Sequence, residues 1–351
     1  MSRANKRSCL LGLGALLLIA FAMWARYASR TVLHHNGWNY LRSGIYIFLF
    51  SAWGFSIRIR IVQPQARRYL LRISALMVLW LLLRSVKFSV NNPDWERWLW
   101  YLYYVPMLLI PLLAAFVSLS LGKGEDFRLP GAVKLLYVPT VLLLLLVLTN
   151  DWHYSVFSFP AGVATDGDYR YGAGYYLVLG WELACAVAAI VTMLGKCRIP
   201  HSRRVRWLPL VPLGLSVAYA VAYARGVRWV WVLAGDMTVT LCLMFAGIFE
   251  SCIQCGLIPS NLGYDELLEA TSLPVQITDA SLRTRHVSAA MQEPLPPELL
   301  GRMQQDTLRL DGDTLLRRHP LRRGWVFWKE DLSELNALGR ELEQTRDELR
   351  D

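Results

Sequence analysis

Long apolar segments alternate with short charged connectors through the first 250 residues of the chain. A helix needs roughly 20 apolar residues to cross a hydrocarbon core of about 30 Å. Eight segments approach this length, at residues 9–25, 42–57, 69–90, 98–120, 134–149, 172–194, 207–223 and 228–249. The pattern predicts a mostly α-helical fold, a polytopic membrane bundle of seven or eight transmembrane helices.

The pattern changes after residue 250, where apolar segments of this length stop. Apolar and polar residues alternate at Pro274–Asp279, Arg285–Ser288 and Gly324–Trp328, which is typical of half-buried strands. A short helix fits Asp265–Leu268. The region therefore predicts a small α/β module after the bundle.

The last twenty residues predict a helix with one apolar seam. Its residues follow each other at alternating spacings of three and four, which is the spacing of a coiled coil. They are Leu335, Leu338, Leu342, Thr345 and Leu349. Because such a seam needs an apolar partner, we expect a homodimer through a C-terminal stalk. The predicted domains are a transmembrane or signal-anchor segment at 1–40, a seven-helix sensory region at 41–250, a relay module at 251–330 and the stalk at 331–351.

Basic residues distinguish the two faces of the bundle. The second, fourth and sixth connectors hold basic clusters, whereas residues 150–171 hold Asp151, Asp166 and Asp168 against Arg170 alone. Cytoplasmic loops are enriched in Lys and Arg. We therefore expect a multi-pass protein of the cell membrane whose C-terminus is cytoplasmic. The first segment also fits a cleavable signal peptide, and the later helices keep their orientation in either case.

The composition agrees with this interpretation. Hydrophobic residues make up 54% of the chain, and the formal net charge is +10. Because the basic residues are dispersed over separate connectors, the charge does not indicate nucleic-acid binding. The six cysteines lie mostly within or beside apolar segments and predict no disulfide framework. No residue pattern indicates a cofactor or a metal, so we expect neither.

Three ionisable residues, Arg84, Glu182 and Asp236, fall inside predicted spanning helices. Such residues are costly in hydrocarbon and usually face the bundle interior. Counting about 1.5 Å per residue, Arg84 and Asp236 lie in the same half of the membrane and are expected to pair. The pair either contributes to ligand sensing or only fixes the helix register, and Arg84 alternatively extends to the headgroups.

Other candidates lie near the same face. Tyr101 and Tyr104 belong either to an interfacial aromatic belt or to the wall of a ligand cavity between the helices. Asn150, Asp151 and His153 follow the fifth apolar segment, where Asn and Asp commonly turn the chain. The alternative for these three is a contribution to sensing an unknown small ligand or, through His153, the pH.

Three stretches carry a family resemblance: Trp100–Leu113, Leu148–Phe159 and Cys252–Tyr264. They resemble the N-terminal seven-transmembrane sensory region of bacterial sensor histidine kinases. The resemblance covers most of the chain and includes Asn150, Asp151 and His153. It implies that the module after the bundle is PAS-like and that the last helix begins a signalling coiled coil. It also implies a histidine kinase core as partner, fused or separate.

No catalytic residue is expected on this chain. His286 and His319 precede the final helix and are not in the setting of a phosphoacceptor, and no glycine-rich ATP-binding motif follows them. The predicted function is a membrane receptor of a two-component system. The alternative is a small-solute transporter, but Pro106 and Pro111 have no counterpart in the second half, where an internal repeat would place one.

Overall fold

The computed structural model divides the chain into two compact units, Met1–Ser260 and Asn261–Asp351. The structure describes residues 3–31, 37–121, 123, 127–160, 169–196, 208–228, 230, 235–258, 260, 271–303, 305–321 and 324–349. The segment 265–268, for which a short helix is predicted, lies outside these residues.

The first unit is helical, as the sequence predicts. Its described helices are α1 (Arg3–Thr31), α2 (Gly37–Arg60), α3 (Pro64–Lys87), α4 (Pro93–Leu102), α5 (Tyr104–Ser120), α6 (Gly131–Lys134), α7 (Tyr137–Leu148), α8 (Asn150–His153), α9 (Ala173–Gly195), α10 (Leu210–Ala224) and α11 (Met237–Gln254). One small antiparallel pair, β1 (Phe157–Ser158) with β2 (Arg170–Tyr171), lies between α8 and α9.

Five helical stretches in the described part of the chain are long and apolar enough to cross a membrane. They are Pro64–Lys87, Pro93–Ser120, Gly131–Leu148, Ala173–Gly195 and Met237–Gln254. Two shorter apolar helices, Gly12–Ala28 and Leu210–Tyr223, accompany them. The bundle is therefore a membrane domain, and five of its described helical stretches are candidate spans by length and composition.

Two of the differences between the predicted and the observed helices have a clear local cause. The segment predicted at 98–120 starts at Pro93, where Asn92 caps the helix by accepting hydrogen bonds from the main-chain N–H groups of Asp94 and Trp95. The helix predicted over 228–249 is interrupted before Asp236. Asp236 is the N-cap of α11 and not a residue of its interior, so that part of the prediction was wrong.

The core of the bundle lies mainly between α2, α3, α5 and α11. Its largest fully buried side chains include Tyr46, Trp80 and Phe116. Gly54 lets α2 approach α3 closely, because a Cβ at this position would collide with Ser74 Oγ. That hydroxyl donates a hydrogen bond of 2.9 Å to the Phe50 carbonyl oxygen across the interface.

The second unit is built on one antiparallel sheet of five strands in the order β4-β3-β7-β6-β5. Its elements are β3 (Val275–Asp279), β4 (Thr284–Val287), a 3-10 helix (Ala289–Met291), α12 (Pro297–Gly301), β5 (Thr307–Arg309), β6 (Thr314–Leu321), β7 (Gly324–Asp331) and α13 (Ser333–Glu348). Met291, Leu300, Leu316 and Phe327 form its core. Asn336 of α13 donates a hydrogen bond of 2.7 Å to Asp313, so the final helix is attached to the sheet near its start.

The three predicted strands are present as β3, β4 and β7, while β5 and β6 were not predicted. Strand β6 contains Arg317, Arg318, His319 and Pro320, so its apolar alternation is lost. Pro320 is compatible with the sheet because β5 pairs only with the first half of β6, as far as Arg317. Pro320 therefore lies where β6 pairs with β7 alone.

Candidate functional site

Asp236 lies at the centre of a cluster of three arginines, contributed by α1, α2 and α3. Arg42 Nη2 donates a hydrogen bond of 2.8 Å to Asp236 Oδ2, and Arg84 Nε donates one of 3.0 Å to Oδ1. Arg84 Nη2 also pairs with Oδ2. Arg26 Nη1 is 3.7 Å from Oδ2. The carboxylate that caps α11 is therefore bound by the first three helices.

This cluster is buried. The side chains of Arg26, Arg42, Arg84 and Asp236 are 8%, 5%, 8% and 10% exposed. Arg84 Nη1 donates a further hydrogen bond of 3.1 Å to Ser43 Oγ. Charges in such an environment depend on close partners, because they have lost their hydration. The arrangement couples the packing of α1, α2 and α3 to the position at which α11 begins.

The contact between Arg84 and Asp236 was predicted from the sequence, and the structure contains it. Arg26 and Arg42 were not predicted to take part. Each lies at the edge of an apolar segment, where the sequence alone favours a headgroup contact. Both arginines lie beside the membrane face that has few basic residues. Positive charge is unusual at that face, and this was the sequence signal that the two side chains have an acidic partner.

A second ion pair was missed as well, at the opposite end of α11. Arg60 at the end of α2 binds Glu250 through two hydrogen bonds of 2.7 and 2.8 Å, and Trp53 Nε1 donates a third of 3.2 Å. Arg60 follows the predicted segment 42–57 and Glu250 follows the predicted segment 228–249, so the sequence places both outside the spanning helices. Their pairing depends on α2 lying beside α11, which the sequence does not reveal.

Tyr101, Asn150 and Asp151 form a hydrogen-bonded group at the end of α7. The buried Asn150 side chain donates to the Phe157 carbonyl oxygen and to Tyr101 Oη, and its Oδ1 accepts from the main-chain N–H groups of Val156 and Phe157. Tyr101 Oη donates a hydrogen bond of 2.7 Å to Asp151 Oδ1. Asn150 thus holds the turn, as one of the two sequence interpretations expects. Participation of the group in sensing stays a prediction.

Tyr104 and His153 differ in their surroundings. Tyr104 is buried, with its ring 5.8 Å from that of Phe157 in a packed aromatic cluster. His153 is exposed, and its Nδ1 accepts a hydrogen bond of 3.0 Å from the main-chain N–H of Ser155. The structure therefore divides the candidates into separate groups and does not gather them around one centre.

Glu182 lines a cavity of about 300 Å³ between α5, α9, α10 and α11. The other seven candidates, all within the described part of the chain, are not among the residues of its wall. The described residues contain no group of three or more His, Cys, Asp and Glu side chains placed to hold a metal. Glu182 is thus the candidate that an apolar ligand inside the bundle would meet.

The sequence model of one protein family, the N-terminal 7TM region of histidine kinase, matches residues 40–253. The chain belongs to this family. No curated protein and no solved structure matches it. The matched region starts within α2 and ends within α11, so it includes Arg42, Arg84, Asp236 and Glu250, while α1 with Arg26 precedes it. The family resemblance inferred from the three sequence stretches is confirmed.

Proposed function

We propose that the chain is the sensory module of a two-component-type signalling system, which transmits a stimulus through its helix bundle to a histidine kinase core. The core is either fused to this chain or supplied by a separate one. The observation that best supports this proposal is the binding of Asp236 by Arg84 and Arg42. This contact connects α2 and α3 with α11, the helix that precedes the C-terminal unit in the chain. Family membership supports the same assignment.

The proposed mechanism is a shift between two packings of the bundle. A stimulus can cause such a shift only if it interacts more favourably with one packing than with the other. A ligand or field that alters the geometry of Arg84 and Asp236 would change the start of α11, and α11 would move relative to α2 and α3. The displacement would then pass along the chain to the second unit.

The proposed topology has seven or eight spanning helices and a cytoplasmic C-terminus. Arg58 and Arg60 in the last turn of α2, Lys134 at the end of α6 and Lys196 at the end of α9 all support one basic, cytoplasmic face. Glu250 lies toward this face and Asp236 toward the other. The other basic residues of the sixth connector lie between residues 198 and 206, outside the described residues. Asp166 and Asp168 also lie outside them.

The second unit is proposed to be a PAS-like relay followed by a dimeric stalk. Its single antiparallel sheet with short flanking helices supports the first part. Three leucines of α13, Leu335, Leu338 and Leu342, are 68%, 53% and 66% exposed in the single chain. An apolar seam with this exposure supports pairing with a second copy.

The test is the phosphotransfer output of the intact signalling system in native membranes, with and without this chain and with the variants Arg84→Ala and Asp236→Ala. The control is Asp94→Asn, since that side chain is 76% exposed and lies outside the cluster. We expect both cluster variants to change the basal output or the response, and the control to leave both unchanged.

Two other results would decide against this account. Unchanged signalling in both cluster variants would exclude Arg84 and Asp236 from the sensing site. Movement of a solute across vesicles by the reconstituted chain would favour the transporter. The mass of the endogenous protein then identifies the partner, since a mass well above that of these 351 residues indicates a fused kinase core.

A further inference from the structure

The cavity between α5, α9, α10 and α11 has a wall that is apolar along most of its length. Its residues extend from Leu179 to Leu194 on α9 and from Leu241 to Cys252 on α11. At about 1.5 Å per residue, this part of α9 is roughly 22 Å long. A volume of about 300 Å³ over such a length suits a narrow, elongated ligand.

Two polar atoms of this wall are buried and make no hydrogen bond to any described residue. They are the indole Nε1 of Trp80 and the carboxyl Oε1 of Glu182. Trp80 is 2% exposed. Nε1 is a donor, and Oε1 accepts a hydrogen bond in either protonation state of the carboxyl group. Since buried polar groups in native proteins nearly always have a partner, this donor and this acceptor require one.

Trp80 and Glu182 lie at a similar depth in the membrane. Trp80 is about 10 Å from the C-terminal end of α3, and Glu182 is about 13 Å from the N-terminal end of α9, both measured from the same face. The third polar residue of the wall, Ser216, already donates a hydrogen bond of 2.7 Å to the Pro212 carbonyl oxygen. The unsatisfied polar groups are therefore confined to one level of a mainly apolar cavity.

The cavity opens on the surface that faces lipid. Leu183 and Val217 belong to its wall and are 56% and 60% exposed. An apolar compound dissolved in the bilayer can enter there without crossing water. A phospholipid cannot supply hydrogen-bond partners to Trp80 and Glu182, because its headgroup remains at the interface, roughly 10 Å away from these two side chains.

We propose that this cavity binds an uncharged, membrane-soluble single-chain alcohol, whose hydroxyl group accepts a hydrogen bond from Trp80 Nε1 and donates one to Glu182 Oε1. The alkyl chain of the ligand occupies the apolar part of the cavity along α9 and α11. A hydroxyl group is both donor and acceptor, so a single small head group satisfies both buried atoms. An alkane supplies neither partner, and an ether supplies only the acceptor.

The experiment uses the full chain reconstituted in lipid nanodiscs and a photoreactive dodecanol that carries a diazirine on its alkyl chain. Labelled residues are identified by mass spectrometry. Unlabelled 1-dodecanol and dodecyl methyl ether are compared as competitors. We expect labelling of α9 and α11 inside the cavity, with 1-dodecanol competing at a concentration at least tenfold lower than the ether.

Variants separate the polar contacts from the shape of the cavity. Glu182→Leu and Trp80→Phe remove the acceptor and the donor, and each is expected to weaken competition by 1-dodecanol about tenfold. Glu182→Gln retains an acceptor oxygen and is expected to keep most of the affinity. Ala186→Phe fills the cavity and should abolish labelling, whereas Val187→Phe on the exposed side of the same helix should not.

Equal competition by alcohol and ether would overturn the proposal and indicate occupancy by bulk acyl chains only. Equal labelling of Glu182→Leu and Glu182→Gln, at any level, would also overturn the proposal. The comparison of these two variants remains informative if Ala186→Phe fails to fold. Binding is measured here without any signalling output. Absence of alcohol binding would therefore leave the proposed signalling role of Arg84 and Asp236 intact. Unchanged signalling in the Arg84 and Asp236 variants would likewise leave the proposed alcohol site intact.

Discussion

Arg60 and Asp236 hold opposite ends of the same helix, although only Asp236 belongs to the cluster of three arginines. Arg60 binds Glu250 near the C-terminal end of α11, and Asp236 caps its N-terminal end. The two acidic residues of α11 are roughly 21 Å apart along the helix axis. The last helix of the bundle is therefore bound to α1, α2 and α3 at its N-terminal end and to α2 near its C-terminal end.

The buried cluster around Asp236 predicts a large stability effect. Asp236→Asn removes the carboxylate that Arg42 and Arg84 bind, and loss of one partner of a buried pair typically costs about 3–5 kcal/mol. Thermal unfolding in nanodiscs measures the change. Asp94→Asn should cost less than about 1 kcal/mol, because the Asp94 carboxylate is 76% exposed in its pair with Arg97. Equal destabilisation by the two variants would show that the cluster is not specially stabilising.

The turn held by Asn150 predicts a local effect on the main chain. Asn150→Ala leaves the N–H groups of Val156 and Phe157 without their acceptor, and a buried unsatisfied group costs about 1–3 kcal/mol. Hydrogen exchange of these two amides should become faster. The exposed His153 provides the control, since His153→Ala leaves both hydrogen bonds in place. Similar exchange in the Asn150 variant and the native chain would contradict this role.

The hairpin between β3 and β4 predicts a response to acid. The pKa of Asp279 lies below its usual value because the main-chain N–H of Arg283 and that of Ser281 bind its carboxylate, and the charge of Arg285 adds to the effect. A lowered folded-state pKa gives stabilisation that is complete above the unfolded value of about 3.9 and disappears as the pH falls through the folded value.

Exchange of the hairpin amides in the full chain measures this dependence. Their protection should stay constant down to about pH 4 and decrease only below it. Asp279→Asn should remove this pH dependence, because the amide does not titrate in that range. A loss of protection that occurs already between about pH 6 and 5 would assign the effect to other groups.

The exposed leucines of α13 predict a concentration-dependent dimer. A buried leucine contributes about 1.5–3 kcal/mol, so Leu338→Asp and Leu342→Asp should each weaken dimerisation at least about tenfold. Mass photometry of the full chain in detergent follows the change. Glu343→Ser on the outside of the same helix is the matched control. Dimers of equal affinity in all three variants would place the interface elsewhere.

The helices that the sequence predicted best are those without interruption. The segment 172–194 corresponds to α9 within one residue at each end, because it is a continuous apolar stretch between clear boundaries. The last helix shows the limit of this method. Gly235 and Asp236 lie inside a hydrophobic stretch, and the helix restarts at Asp236 because its carboxylate can cap the new N-terminus.

The sequence predicts only those contacts of the site that follow from the depth of each residue in the membrane. The similar depth of Arg84 and Asp236 predicted their contact, whereas nothing in the sequence states that α2 lies beside α11 and brings Arg60 to Glu250. The same reason applies to Trp80 and Glu182. They line one cavity because α3 and α9 both border α5, and that arrangement is decided by packing across the whole bundle.

The most direct test of the signalling role is a double-mutant cycle on kinase phosphorylation in native membranes. Arg84→Gln, Asp236→Asn and the double variant are compared with the native chain. If the contact transmits the signal, each single variant should shift the basal output. The double variant should resemble Asp236→Asn, because loss of the carboxylate already removes the contact with Arg84. Independent, additive shifts would contradict the account, as would native output in all three variants.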